Sequence, residues 1–217
     1  MSALIPPDMR QGPVAAQIRR QRLIVALRRV ELLTHADELA GAGARIFEVA
    51  MDGDAGARDL IATAEQLARR GDGTYVVGAG NVRTSKQLRA ALDARSAFAA
   101  SPTLNPILIG EALDAELPFI PGAATPSEAE LAWSGGATFI ELFPATSLGP
   151  SFIRELRGPM PEIETIPTGG ITFDNARAFL DAGATAIRME SVAMLGDAAL
   201  WRSFVESLVD KGPPRST

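Results

Sequence analysis

Three segments of the chain repeat one arrangement: GAGARIFEVA, SGGATFIELF and DAGATAIRME. Each opens on a glycine behind a helix-like stretch and runs straight into a short apolar strand. A glycine just past a helix takes the left-handed conformation that closes it. The strand that follows is apolar on both faces, as a strand covered on both sides must be. A chain that repeats this unit is committed to a parallel sheet with helical crossovers. Read in order, eight strand candidates appear: LIVALR, RIFEVA, TYVVGA, AFAAS, PFIPG, TFIELF, IETIPT and TAIRM. Amphipathic stretches separate most of them. ARDLIATAEQLARR places Leu60, Ile61, Ala64 and Leu67 at helical spacing, and DNARAFLDAG offers Asp174 as an N-cap with Gly183 as the stop.

Eight such units in 217 residues fit one α/β domain, a single (β/α)8 TIM barrel spanning 1–217. A doubly wound open sheet is the competing arrangement. It lacks support here, because GAGNV has no third glycine to complete a dinucleotide fingerprint. Residues 1–13 and 211–217 are Pro- and Gly-rich with few apolar anchors, and read as flexible ends. The net charge of -5 gives no basic footprint for nucleic acid. No apolar run is long enough for a membrane span, and no signal peptide is visible, so a cytoplasmic location is expected. Cysteine is absent, which excludes disulfides, thiolate metal sites and cysteine nucleophiles.

Counting five residues on from Gly43, Gly136 and Gly183 reaches Glu48, Glu141 and Arg188. These fall on strands two, six and eight. Alternate strands of a barrel supply one layer of inward side chains, so the three charges share a layer near the C-terminal mouth. Ala100 is the fourth member and leaves room. Buried charges need partners. Two carboxylates and one guanidinium leave a negative charge over. Either one glutamate is protonated or a cation binds. A structural ion pair and a functional site both satisfy this pattern. No metal or other cofactor is expected. The oxygen set Glu48, Glu141 and Glu190, with Asp52, keeps a divalent ion open as an alternative.

In order, IFEVA, VGAGNV, ASPTLN, IPGAATPSE, IELFPA, LGPSFIRELRGP and IPTGGIT resemble the motifs of the bacterial 2-keto-3-deoxy-6-phosphogluconate and 4-hydroxy-2-oxoglutarate aldolases. The likeness covers nearly the whole chain. It implies a (β/α)8 barrel, usually a homotrimer. It also implies a lyase that reversibly cleaves a 2-keto-4-hydroxy acid to pyruvate and an aldehyde through a lysine Schiff base. That lysine belongs three residues before the proline of FPA, where this chain has Glu141. A carboxylate cannot form an imine. The chain's two lysines are Lys86, at the start of the helix after strand three and facing solvent, and Lys211, in the tail.

Glu48 matches the family's general acid/base. Its structural alternative is a salt bridge to Arg188. The resemblance further places Arg28, Asn81, Pro102 and Phe143 at the substrate, with Asn81 standing where a threonine is usual and Asp52 where many members carry an arginine. PTGGIT, with Thr168, Gly169 and Gly170, is intact as a phosphate-binding turn. The last strand reads Arg188, Met189, Glu190, Ser191 in place of a glycine-rich pattern, which sets a carboxylate against a phosphate. The loss of a lysine and the gain of Arg188 suggest that Glu141 pairs with Arg188. His35, the one histidine, falls in an exposed helix pattern. Trp133 and Trp201 belong to outer helices, against the barrel or at a trimer interface. Three functions stay open: a lyase on a small 2-keto acid by a modified route, a catalytically inactive descendant, and a metal-assisted carboxylate enzyme.

Overall fold

The computed structural model describes residues 8–27, 32–191 and 198–209. Eight parallel strands run β1 Leu23–Leu27, β2 Ile46–Ala50, β3 Val76–Gly80, β4 Ala99–Ser101, β5 Phe119–Ala123, β6 Ile140–Leu142, β7 Thr165–Pro167 and β8 Ile187–Glu190. Helices α1 Pro13–Gln21, α2 Leu32–Gly41, α3 Gly56–Arg70, α4 Ser85–Asp93, α5 Pro106–Asp114, α6 Pro126–Ser134, α7 Ala145–Arg157, α8 Phe173–Asp181 and α9 Ala198–Val209 surround them. Each strand from β1 to β6 pairs with the next, and β1 also pairs with β8. A bridge between Thr168 and Arg188 joins the remaining two edges. The open-sheet alternative is thereby excluded, and the barrel expected from the repeated unit is the fold.

The repeated glycines act as the sequence suggests. Gly43, Gly136 and Gly183 have φ of 108°, 103° and 107°. In each case the following residue's N–H returns to a carbonyl five residues back, as in Ala44 to Leu39 at 3.0 Å, Ala137 to Ala132 at 3.1 Å and Ala184 to Phe179 at 3.2 Å. The same closure ends α4 and α5, but with Arg95 and Glu116 in the left-handed position at φ of 55° and 54°. The helix–turn–strand unit therefore occurs five times, twice without its glycine.

Side chains alternate across each strand. Leu23, Val25, Phe47, Val49, Ile140 and Met189 face outward into the helix layer. Ile24, Ile46, Val76, Phe98, Ile120, Phe139, Ile166 and Ala186 fill the barrel's interior. Helix α1 seals the lower end with Ala15 and Ile18, both fully buried. Ahead of it, residues 8–12, part of the segment expected as a flexible end, are among the described residues. Met9–Gln11 form a 3-10 turn, and Arg10 donates to the carbonyls of Ala137 and Trp133 while its guanidinium stacks 3.9 Å from the Trp133 ring. Residues 1–7 and 211–217 lie outside the described residues. Trp201 packs edge-on against Phe173 and Phe204 on its own barrel and is 2 % exposed. His35 is half-buried in α2, rather than exposed. Lys86 is exposed in the first turn of α4, as expected.

Candidate active site

Above the apolar interior, the even strands contribute Glu48, Ala100, Glu141 and Arg188, all buried. The charges follow the inward alternation, because Glu48, Glu141 and Arg188 lie two residues beyond the interior side chains Ile46, Phe139 and Ala186. Ala26 on β1 is in register with Glu48 on one side and Glu190 on the other. Strands of an eight-stranded barrel stagger by about one residue each. Two strands of stagger lower the level by two residues, which brings Arg188 opposite Glu48.

Arg188 donates to Glu48 Oε1 from Nε at 2.9 Å and from Nη2 at 2.6 Å. Its Nη1 donates to Glu190 Oε1 at 3.2 Å. The expected pairing of Arg188 with Glu141 is not formed. Arg188 instead spends Nε and Nη2 on Glu48 and Nη1 on Glu190. Thr168, bridged to Arg188 through the backbone, stands on the Glu141 side. Because both nitrogens converge on Oε1, Glu48 Oε2 is left buried with no hydrogen-bond partner. Gly80 makes this geometry possible: a Cβ there would come 2.0 Å from Glu48 Oε1.

Burial pushes the Glu141 carboxyl up to about 8. The Arg188 charge pulls it down, Glu48 and Glu190 push it up further, and the Thr168 hydroxyl holds it back slightly. Burial thus favours the protonated form of Glu141, one of the two outcomes left open for the surplus negative charge. Burial alone would lower Arg188, but Glu48, Glu141 and Glu190 outweigh it and leave the guanidinium raised. The acids held open for a divalent ion do not converge. Arg188 bonds both Glu48 and Glu190, and among the described residues no three acidic or histidine side chains could hold a metal.

A cavity of about 300 Å³ opens above this layer, lined by Asp52, Asn81, Arg83, Pro102, Glu141, Phe143, Thr168, Gly169, Arg188 and Glu190. Its mouth is thus at the C-terminal end of the strands, where barrel enzymes place their chemistry. Asn81, at φ of 55°, donates from Nδ2 to Asp52 Oδ1 at 3.2 Å, so two residues that depart from the resembled pattern hold each other. Glu48 lies beneath the floor. Ser191 is buried and Gly170 exposed, and neither lines the cavity. Arg28 lies outside the described residues. Helix α8 starts two residues earlier than expected: Thr172, not Asp174, is the N-cap, closed by a reciprocal box with Asn175. Asn175 Nδ2 also donates to Gly170 O at 2.9 Å, which fixes the turn after β7. Arg83 escaped notice in the sequence because an exposed loop arginine carries no periodic signal. Its place two residues after Asn81, at a strand's C-terminal end, was the one clue.

The family model described as KDPG and KHG aldolase matches residues 13–202. A 2-dehydro-3-deoxy-phosphogluconate aldolase of Pseudomonas aeruginosa is 32% identical over 154 residues, covering 70% of this chain and 68% of that protein. The KHG/KDPG aldolase of Escherichia coli is 32% identical over 156 residues, covering 70% and 71%. Among solved structures, a 4-hydroxy-2-oxoglutarate/2-dehydro-3-deoxyphosphogluconate aldolase superposes with a TM-score of 0.77 at 28% identity, over 90% of this chain and 98% of the other. The KDPG aldolase of Legionella pneumophila, solved with pyruvate captured as a covalent carbinolamine, gives a TM-score of 0.74 at 24% identity over 92% and 98%, a likeness of fold.

Proposed function

Because the chain belongs to the KDPG and KHG aldolase family, we propose that it binds a small 2-keto acid such as pyruvate at the barrel mouth and performs lyase-type proton transfer on it without a Schiff base. The observation that carries this reading is Glu141. It is a buried acid on the cavity wall, protonated near neutrality, at the position where the resemblance puts the imine-forming lysine. A protonated carboxyl can do part of what an iminium does. It donates its proton to the keto oxygen as negative charge develops there.

Glu48 supplies the base. Arg188 grips one oxygen and leaves Oε2 to accept a proton. In enolisation, a water at the cavity floor takes a proton from the carbon beside the ketone and passes a proton to Glu48 beneath it, the electron pair moves into the C–C double bond, and Glu141 protonates the oxygen. In cleavage, a base takes the proton of the C4 hydroxyl, the C3–C4 bond breaks, the aldehyde leaves and its former bonding pair becomes the enol of pyruvate. A neutral acid is a weaker electron sink than an iminium, so turnover is slower than in a lysine enzyme. A binding-only descendant is the second reading, favoured by the ion pair that ties Glu48 to Arg188.

The assembly proposed for this site is a cytoplasmic homotrimer. Ile107 on α5 and Leu131 on α6, 69% and 53% exposed, give apolar surface for a second copy, and sedimentation measures the assembly. Exchange of the pyruvate methyl protons in D2O, followed by NMR, tests the chemistry. Exchange by the native chain that falls about a hundredfold in Glu48→Gln and Glu141→Gln is expected. Binding of pyruvate with no exchange above background favours the binding-only reading.

A further inference from the structure

The cavity wall carries two cations among the described residues, Arg83 and Arg188. Arg188 is buried and already engaged: Nε and Nη2 donate to Glu48 and Nη1 donates to Glu190. Arg83 is different. Its side chain is exposed and forms no ion pair or side-chain hydrogen bond among the described residues. Its backbone is fixed, however. The Arg83 N–H donates to Gln87 Oε1 at 2.9 Å, the Thr84 hydroxyl reaches the same oxygen at 3.1 Å, and Gln87 Nε2 donates to Met51 O at 2.9 Å. Gln87 thus ties the loop after β3 to the loop after β2, on either side of the mouth. Asp52, the carboxylate from that second loop, already accepts from Asn81. The guanidinium is therefore an unclaimed fork on a braced base, at the rim of an otherwise acid-rich cavity.

We infer that Arg83 is the specificity-determining residue that clamps the carboxylate of the acid bound in this cavity, leaving its keto group directed at Glu141. An arginine fork matches a carboxylate in two parallel hydrogen bonds, which fixes orientation as well as charge. The assignment rests on the keto-acid reading for its substrate, but the clamp can be tested apart from it.

The native full-length chain, Arg83→Gln and Arg83→Lys are titrated with pyruvate and with methyl pyruvate by calorimetry. Acetate is titrated against the Arg83 Nε–H resonance, assigned by its loss in Arg83→Gln. The clamp predicts about tenfold weaker pyruvate binding in Arg83→Gln, partial recovery in Arg83→Lys, and no change for methyl pyruvate, which lacks the charge. Pyruvate binding equal in native and Arg83→Gln chains overturns the clamp and leaves the keto-acid reading standing. An acetate-induced shift of Arg83 without any pyruvate binding supports the clamp and removes pyruvate as the ligand. An Arg83 resonance that no carboxylate moves overturns the clamp outright.

Discussion

Replacing Glu141 by glutamine isolates a buried acid whose neutral form the fold favours. The folded chain binds the Glu141 proton far more tightly than the unfolded chain does, with a pKa of about 8 against an ordinary 4.5. A raised carboxyl stabilises the fold fully below pH 4.5, and that contribution is lost as pH rises through 8. Every tenfold difference in proton affinity between folded and unfolded chain is worth about 1.4 kcal/mol, so the native chain loses up to about 5 kcal/mol from this group across that window. Glutamine keeps the shape and carries no proton to lose. Urea unfolding at pH 5, 7 and 9 reads the difference. The two chains are expected to have similar stability at pH 5, with the variant several kcal/mol more stable at pH 9. Parallel pH profiles would refute the claim that burial keeps Glu141 protonated.

The pair beneath the cavity makes further predictions. Arg188→Met leaves Glu48 buried without its cation and is expected to lower stability by about 3–5 kcal/mol, measured by chemical denaturation. Gly80→Ala drives a methyl group into Glu48 Oε1, so proton exchange on pyruvate should fall sharply while circular dichroism stays that of a barrel. Exchange by the native chain should decline as pH rises through about 8, where Glu141 loses the proton it donates; Glu141→Gln should lack that limb of the profile. Asn175→Ala removes half of the α8 capping box and the bond to Gly170, and should lower the unfolding free energy by about 1 kcal/mol.

Much of this architecture was legible because glycine and period carry it. Gly43, Gly136 and Gly183 mark three helix-to-strand turns, and a fixed count from each finds the inward charges Glu48, Glu141 and Arg188. Arg95 and Glu116 perform the same turn in silence, since only the surrounding fold compels a non-glycine residue into the left-handed region. The partner of Arg188 was not legible either. Glu48 and Glu141 share its layer, and Arg188 is bonded to Glu48 and to Glu190, which lies two residues along its own strand. Thr172 caps α8 because Asn175 answers it from three residues on, a pairing that a nearby aspartate masks. Arg10 looked like part of a frayed end because its anchors, the Ala137 and Trp133 carbonyls, lie more than a hundred residues away.

Borohydride reduction in the presence of pyruvate, followed by intact mass, tests most directly whether the site works without an imine. The native chain is expected to show no adduct, because Lys86 is exposed on α4 and faces solvent. Glu141→Lys is expected to gain one pyruvyl adduct, since burial beside Arg188 would keep the new amine neutral and nucleophilic. A pyruvyl adduct on Lys86 or Lys211 of the native chain would contradict the account.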